Sequence, residues 1–179
     1  MALRKALAYS KRPARPYTRI SKKKGKAYIK TVPYSKIVKF DGGDYEGYRK
    51  GNHTYKVYLI AEEKIQVRDN ALEAGRMVLV KEMDLGALGQ YFLRVKVHPH
   101  HFIRENKSAA AVAGADRIST GMTQSFGTII GRAARVNKKG IIFFISCTSE
   151  RAAQTAKAAL NKVKAKMPCK TRVIFEKIK

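Results

Sequence analysis

The sequence predicts an α+β fold, with a mixed or antiparallel sheet and two main helices, for a chain of 179 residues. Short segments with the pattern of strands are interrupted by only two well-separated segments of helical periodicity, whereas a parallel doubly wound fold would alternate the two. Apolar residues make up 45% of the chain, which is enough for the core of one domain. We therefore expect residues 36–179 to form a single domain and residues 1–35 to form a basic arm of the same unit.

The N-terminal segment has the composition of a nucleic-acid-binding arm. Residues 1–40 carry 13 Lys and Arg residues and no Asp or Glu, in a chain with a formal net charge of +25. Tyrosines stand between these cations, so bases could stack on the tyrosine rings while the cations bind phosphates. These tyrosines are Tyr9, Tyr17, Tyr28 and Tyr34. A long helix is excluded by Pro13, Pro16, Gly25 and Pro33. We expect an extended arm that becomes ordered against a polyanion.

The first strands are predicted directly after the arm. Residues 36–40 (KIVKF) have the pattern of a short strand, and residues 41–44 (DGGD) are typical of the turn that ends it. Residues 54–60 (TYKVYLI) predict a second strand.

An amphipathic helix is predicted to follow, capped by Asp69 or Asn70 and ending near Gly86. Its buried stripe comprises Leu72, Gly75, Leu79 and Met83. Residues 90–97 then predict a strand.

A long internal loop is predicted at about residues 104–128. The strand pattern disappears between Ile103 and Ile129, and a loop of this length in a compact domain is usually functional or disordered. Beyond it, Gly140 predicts the turn of a hairpin, and the second strand of that hairpin, residues 141–145, is apolar enough to be buried on both faces.

The second helix is predicted to be capped by Thr148 or Ser149, with Glu150 in its first turn, where a negative charge favours the helix dipole. Its buried stripe comprises Ala152, Ala156, Ala159, Leu160, Val163 and Met167. Residues 172–178 predict a final strand.

Membrane and disulfide-rich classes are disfavoured. The longest apolar run is residues 141–145, whereas a helix that crosses a bilayer needs about 20 apolar residues. Cys147 and Cys169 stand apart with no CxxC pair, so we expect reduced, structural thiols.

Catalytic and metal-binding motifs are also weak. Residues 121–128 (GMTQSFGT) lack the Gly-Lys-Ser/Thr ending of a phosphate-binding loop. His98, His100 and His101 have no Cys, Asp or Glu beside them to complete a metal site, so we expect packing or RNA contact instead. Neither Ser146 nor Cys147 has a histidine neighbour in sequence. We expect neither an enzyme nor a cofactor.

Four segments carry a resemblance to a known family: RPARPY (12–17), ALEAGRMV (71–78), LRVKVHPHHFIRENK (93–107) and AGADRISTGMTQSFG (113–127). Together they resemble the L16/L10e family of large-subunit ribosomal proteins, most closely its archaeal-type branch. The most specific part is HPHHFIRENK followed by GADRISTGM.

The resemblance implies an α/β-hammerhead-like domain that binds large-subunit rRNA near the 5S rRNA and the aminoacyl-tRNA site. It also implies neighbouring ribosomal proteins and tRNA as partners, and a place in the large subunit of cytoplasmic ribosomes. In the family, the loop that corresponds to residues 104–121 reaches toward the peptidyl-transferase centre. At Ala109, Ala110 and Ala111 this chain has smaller residues than the eukaryotic branch.

The positions that match the family, with the cations around them, give the candidate site residues. The candidate RNA-binding residues are Arg4, Lys11, Arg12, Arg15, Arg19, Lys22, Lys23, Lys24, His98, His100, Arg104, Arg132 and Arg135. The candidate tRNA-proximal loop residues are Lys107, Ser108, Gly114, Arg117, Thr120 and Gly121.

Composition alone leaves two other classes open. The first is a free-standing RNA-binding module or ribosome-assembly chaperone, which has no need to match the arm and loop of the family. The second is an RNA-modifying enzyme that uses a buried Cys or His, and it predicts turnover that is lost on Cys147→Ala.

Overall fold

The computed structural model describes residues 7–10, 15–16, 33–105 and 128–178. The helices are α1 (Leu7–Ser10), α2 (Tyr45–Arg49), α3 (Asp69–Ala87) and α4 (Glu150–Val163), and a short 3-10 turn (Lys164–Lys166) follows α4. The strands are β1 (Arg15–Pro16), β2 (Asp41–Gly43), β3 (Tyr55–Ala61), β4 (Ile65–Arg68), β5 (Tyr91–Val95), β6 (His101–Glu105), β7 (Thr128–Val136), β8 (Ile141–Cys147) and β9 (Thr171–Lys177).

The strands form two sheets in which every described pairing is antiparallel. The four-stranded sheet has the order β1-β6-β7-β4, and the five-stranded sheet has the order β2-β5-β8-β3-β9. The α+β class with two main helices is thereby confirmed. Of the two alternatives for the sheet, mixed or antiparallel, the antiparallel one is confirmed. The expectation of a single sheet is corrected to two sheets, because β7 and β8 belong to different sheets.

The two long helices pack on one face of the five-stranded sheet. The predicted stripe of α3 is confirmed, since Leu72, Gly75, Leu79 and Met83 are all buried. A Cβ atom at Gly75 would lie 2.9 Å from the Phe143 ring, so glycine lets the helix approach the sheet closely. The stripe of α4 is likewise buried: Ala152, Ala156, Ala159, Leu160, Val163 and Met167. Half of these side chains are alanines, which allow a similarly close approach.

The caps of the two helices differ from one another. At α4 the predicted cap is Ser149, whose hydroxyl accepts a hydrogen bond from the Ala152 N–H at 3.3 Å. The predicted cap of α3 is wrong, because the N-cap position is Arg68 and no side chain caps it. The Asp69 carboxylate instead accepts hydrogen bonds from the N–H groups of Asn70 and Lys36.

The predicted strand at residues 36–40 is also wrong. The N–H groups of Lys36 and Val38 donate to the carboxylates of Asp69 and Glu73 on α3, so these donors do not join a sheet. The strand lies in the predicted turn, where β2 pairs with residues 92–94. Gly43 has a φ of 83°, and a Cβ atom there would meet the Tyr91 carbonyl oxygen at 2.2 Å, so only glycine fits.

The predicted hairpin around Gly140 is a turn between the two sheets. The Gly140 N–H donates to the Asn137 carbonyl at 2.9 Å, which closes the turn. The Lys139 N–H donates to the Ala61 carbonyl, and the Ala61 N–H donates to the Gly140 carbonyl. These backbone groups are bonded to the end of β3, so β7 and β8 diverge. Burial of β8 on both faces is confirmed.

The remaining strand predictions are confirmed within a few residues by β3, β5 and β9. Six of the described elements were not predicted: α1, α2, β1, β2, β4 and β6. The short helix α2 covers the outer face of the five-stranded sheet, where Tyr48 stacks on Phe92 with the ring centroids 4.7 Å apart. Most of the predicted loop, residues 106–127, lies outside the described residues.

Candidate nucleic-acid interface

Five of the candidate RNA-binding side chains lie in the part of the chain that the structure describes: His98, His100, Arg104, Arg132 and Arg135. Of Arg15 only the backbone is described, and it pairs with Phe102 on β6. The other arm candidates lie outside the described residues: Arg4, Lys11, Arg12, Arg19, Lys22, Lys23 and Lys24. So do the loop candidates: Lys107, Ser108, Gly114, Arg117, Thr120 and Gly121.

Strand β7 presents its two arginines on opposite faces of the four-stranded sheet. Arg132 and Arg135 are three residues apart, and side chains alternate along a strand. Arg132 pairs with Phe102 of β6, and Arg135 pairs with Gln66 of β4. The sheet therefore has a cation on each face.

On the first face, Arg132 joins the arm to the sheet. Its guanidinium lies 5.5 Å from the centroid of the Phe102 ring, and its Nε donates to the Pro33 carbonyl at 2.7 Å. His98 lies nearby, with its ring centroid 5.4 Å from that of Phe40. Partial burial lowers the pKa of His98, and the positive charges of Arg132 and His100 lower it further.

On the second face, His101 lies close to Arg135. Partial burial lowers the pKa of His101, with contributions from Arg135 and His100. Its Nδ1 is buried without a hydrogen-bond partner among the described residues. The rings of His100 and His101 are 5.5 Å apart and nearly perpendicular, and the His100 N–H donates to the His98 carbonyl at 2.9 Å. This turn keeps His98 near Arg132 and His101 near Arg135.

Arg104 lies further along β6, half-buried and opposite Ile129. The register of the pairing between β6 and β7 shifts between Ile103 and Arg104, immediately before this pair. Arg104 is thus positioned by the sheet at the root of residues 106–127, where we expected it.

Arg68 is a basic residue of this sheet that sequence reasoning missed. Its guanidinium lies 4.4 Å from the centroid of the Tyr9 ring, and its Nε is buried with no hydrogen-bond partner among the described residues. Beside it, the Gln66 side chain donates to the Tyr9 carbonyl at 2.7 Å. The only signal for Arg68 was its place in IQVR, a strand too short to show a pattern.

Two expectations for the arm are corrected by Tyr9. The residues around it form the helical turn α1 rather than an extended segment. The Tyr9 ring packs on Ile103 and Ala133 and is 8% exposed, so it supports the fold and offers no stacking surface to a base. Tyr34, by contrast, is 94% exposed.

The two thiols are poor nucleophiles near neutral pH. Burial raises the pKa of the Cys147 thiol to about 12. Burial and the nearby Glu63 raise the pKa of Cys169 to about 11. Both side chains therefore stay protonated near neutral pH. This disfavours a catalytic mechanism that needs a cysteine thiolate. Within the described ranges, no three metal-ligating side chains group together and no helix is long and apolar enough to cross a bilayer.

Arginine and histidine side chains in this arrangement suit an RNA backbone. Guanidinium groups bind phosphate oxygens in a bidentate manner, and imidazolium adds charge-assisted hydrogen bonds when phosphate is near. No carboxylate pairs with Arg132 or Arg135 among the described residues, whereas Arg94 is paired with Asp41. Among the described residues, no carboxylate therefore competes with an external anion for Arg132 or Arg135.

Comparison with known proteins agrees with this chemistry. Residues 14–174 match the model of the family described as ribosomal protein L16p/L10e. The chain is similar to the large ribosomal subunit protein uL16 of Staphylothermus marinus, with 40% identity over 180 residues that cover 100% of this chain and 97% of the relative. It is also 41% identical to the uL16 protein of Methanococcus aeolicus, over 99% of this chain and 96% of that protein. Identity to uL16 of Thermoplasma volcanium is 41%, over 93% of each chain.

Proposed function

Because this chain belongs to the ribosomal protein L16p/L10e family, we propose that it is a structural constituent of the large ribosomal subunit and binds large-subunit rRNA. The observation that carries this proposal is identity of about 40% from end to end with proteins named large ribosomal subunit protein uL16. The family consists of structural ribosomal proteins rather than enzymes. In this setting the partners are rRNA and neighbouring ribosomal proteins, on cytoplasmic ribosomes.

The cations of the arm and those of the folded domain have different roles in RNA binding. The arm's cations neutralise phosphates and release counterions, which gives affinity without sequence preference. The folded domain supplies fixed positions: Arg132, His98 and Arg104 are held on or beside β6 and β7. Such a rigid surface recognises the shape of folded RNA and sets the register of the complex.

The finer location also belongs to the proposal. We place the chain near the 5S rRNA and the aminoacyl-tRNA site, with residues 106–127 projecting toward the peptidyl-transferase centre to help position tRNA. Both ends of this segment are anchored, because Glu105 pairs with Thr128 where β6 and β7 meet it. Deleting residues 106–116 should slow tRNA accommodation on ribosomes that still assemble. Unchanged accommodation on such ribosomes would refute the role in tRNA positioning.

Sedimentation tests the place of the protein in the ribosome. A native lysate is run through a sucrose gradient at low and moderate salt, and the protein is located by mass spectrometry. We expect it to run with the large subunit at both salt concentrations. Release at low salt, or association only with precursor particles, would favour an assembly chaperone instead.

RNA affinity should rise as the pH falls from 8 to 6. The pKa values of His98 and His101 are lowered in the free chain, so both rings are largely neutral at pH 7. A bound phosphate favours the protonated rings, so binding takes up protons. By linkage, affinity then increases by up to about tenfold per pH unit for each histidine that becomes protonated.

Fluorescence anisotropy with a large-subunit rRNA fragment at constant ionic strength measures this dependence at pH 6, 7 and 8. The double variant His98→Gln, His101→Gln should bind more weakly at pH 6 and show a flatter pH profile. An equally steep profile in the variant would assign the proton uptake to other groups. The unfolding midpoints of the unmodified protein and of the double variant serve as the control for folding.

A further inference from the structure

A second basic surface lies at the end of β7 opposite to residues 106–127. Three connections that are distant in sequence meet there: residues 62–64, 137–140 and 164–170. The Glu62 N–H donates to the Lys170 carbonyl at 3.0 Å, and Ala61 exchanges two backbone hydrogen bonds with the 137–140 turn. These bonds fix the three connections against one another at the end of β3.

The residues brought together here are strongly basic. The connections and the start of β9 contribute seven cations, which we call the end cluster: Lys64, Lys138, Lys139, Lys164, Lys166, Lys170 and Arg172. All are exposed except Lys164, which is half-buried. The acidic residues of the same connections are Glu62 and Glu63.

The end cluster is distinguished by the number of cations in one place, because seven lie in these connections and the start of β9 with only two carboxylates, Glu62 and Glu63. Elsewhere Arg76 pairs with Glu73, Arg94 with Asp41 and Lys162 with Glu82. Within the described residues, no member of the end cluster forms such a pair. The cluster is therefore a concentration of positive charge that the chain itself leaves uncompensated, and this charge favours an anionic partner.

Lys139 adds a local observation. It is the one non-glycine residue with positive φ among the described residues, at 65°. A glycine adopts this conformation without strain, whereas a lysine does so at a cost. The next residue must be glycine, because a Cβ atom at Gly140 would lie 2.9 Å from the Asn137 carbonyl oxygen. The tight turn thus holds Lys138 and Lys139 on a fixed backbone, which lowers the entropy lost when they bind.

We propose that the end cluster is a second binding surface for the RNA phosphodiester backbone. It is distinct from the arm and from the histidine-arginine surface, which comprises His98, His100, His101, Arg132 and Arg135. This inference rests on the proposed function and extends it. Lys138 lies nine residues beyond Ile129, the partner of Arg104, so the end cluster is about 30 Å from Arg104, whereas Arg132 is only about 13 Å from the near end of β7. The protein then contacts RNA at both ends of β7 and links two RNA segments that are apart in space.

The test compares two triple variants of the full chain with equal loss of charge. The first is Lys138→Gln, Lys139→Gly, Lys170→Gln, and the second is Lys81→Gln, Arg151→Gln, Lys157→Gln on the exposed sides of α3 and α4. The probe is large-subunit rRNA transcribed in vitro from one of the archaeal relatives. Affinity is measured at several salt concentrations, and hydroxyl-radical footprints map the protected nucleotides.

We expect the end-cluster variant to reduce the slope of log affinity against log salt by about two to three, at about 0.7 to 0.9 per lost phosphate contact. It should lose one discrete set of protected nucleotides and retain the others. The helix variant should keep the slope and the footprint of the unmodified chain. Because glycine relieves the strain at Lys139, folding should be intact, which an unfolding midpoint checks.

Two results would overturn this inference and leave the proposed function standing. The first is an end-cluster variant that keeps the original slope and footprint. The second is an equal loss of affinity in both variants, which would show that only the net charge of the chain matters. Failure of the unmodified chain to bind the rRNA would overturn the proposed function as well. The two failures are therefore distinguishable in one set of measurements.

Discussion

A chain in which six cations of the arm are replaced by glutamine should lose most of the salt dependence of its RNA binding. The replaced residues are Arg12, Arg15, Arg19, Lys22, Lys23 and Lys24. Six phosphate contacts make affinity fall about 10³-fold between 50 and 200 mM salt, because each contact releases counterions. The variant should bind more weakly at 50 mM salt and then decline far less as salt is added.

The matched control removes six exposed cations from α2, the residue after it, α3 and α4: Arg49, Lys50, Lys81, Arg151, Lys157 and Lys162. Both variants have the same net charge, so a difference between them reports on position. Filter binding with large-subunit rRNA across the salt range gives the two slopes. If the control falls as steeply as the arm variant, RNA binding by the arm is refuted and only total charge matters.

Replacing Phe143 with alanine should cost about 3–5 kcal/mol of unfolding free energy. Phe143 is fully buried in the centre of β8, and its ring contacts α3 at Gly75, where the helix approaches the sheet closely. Truncation removes a large apolar side chain and leaves a cavity beside Gly75, which has no side chain to fill it. Since folded domains have about 5–15 kcal/mol in total, the variant should be barely stable.

Urea unfolding followed by circular dichroism at moderate salt measures the change, and Phe175→Ala is the matched control. Phe175 is the same residue type on the edge strand β9 and is 40% exposed, so its truncation should cost about 1 kcal/mol or less. Equal losses for the two variants would contradict the view that the contact between α3 and β8 is the centre of the core.

The elements predicted best from sequence are those whose own residues determine them. The apolar stripes of α3 and α4 repeat at helical spacing, and Ser149 caps α4 with its own side chain. Strand β8 is apolar along its whole length, so its burial on both faces follows from composition. The class α+β follows from the same local patterns.

The errors arise where distant residues compete for backbone groups. Residues 36–40 have the pattern of a strand, but Asp69 and Glu73 of α3 take their N–H groups. The turn at Gly140 has the sequence of a hairpin, but Ala61 of β3 takes its hydrogen bonds. Neither partner is near in sequence, so a local pattern cannot reveal it.

The candidate site shows the same division. The histidines and Arg132 were identified from the family motif and from charge, and the structure brings His98 and Arg132 together. Arg68 was missed because its role depends on Tyr9, a residue 59 positions earlier in the chain. The end cluster was missed because its three connections meet only in the folded chain.

The attachment of the arm to the four-stranded sheet limits the distance between the charges of the arm and the sheet. Gln66 holds the Tyr9 carbonyl, β1 pairs with β6, and Arg132 holds the Pro33 carbonyl. Between Pro16 and Pro33 lie six basic residues and no acidic one. Both flanking residues, Pro16 and Pro33, lie at the four-stranded sheet, and the contour length of about 60 Å between them keeps every charge within about 30 Å of one of these two points. Under the proposed function, RNA that these six charges bind therefore stays close to the histidine-arginine surface.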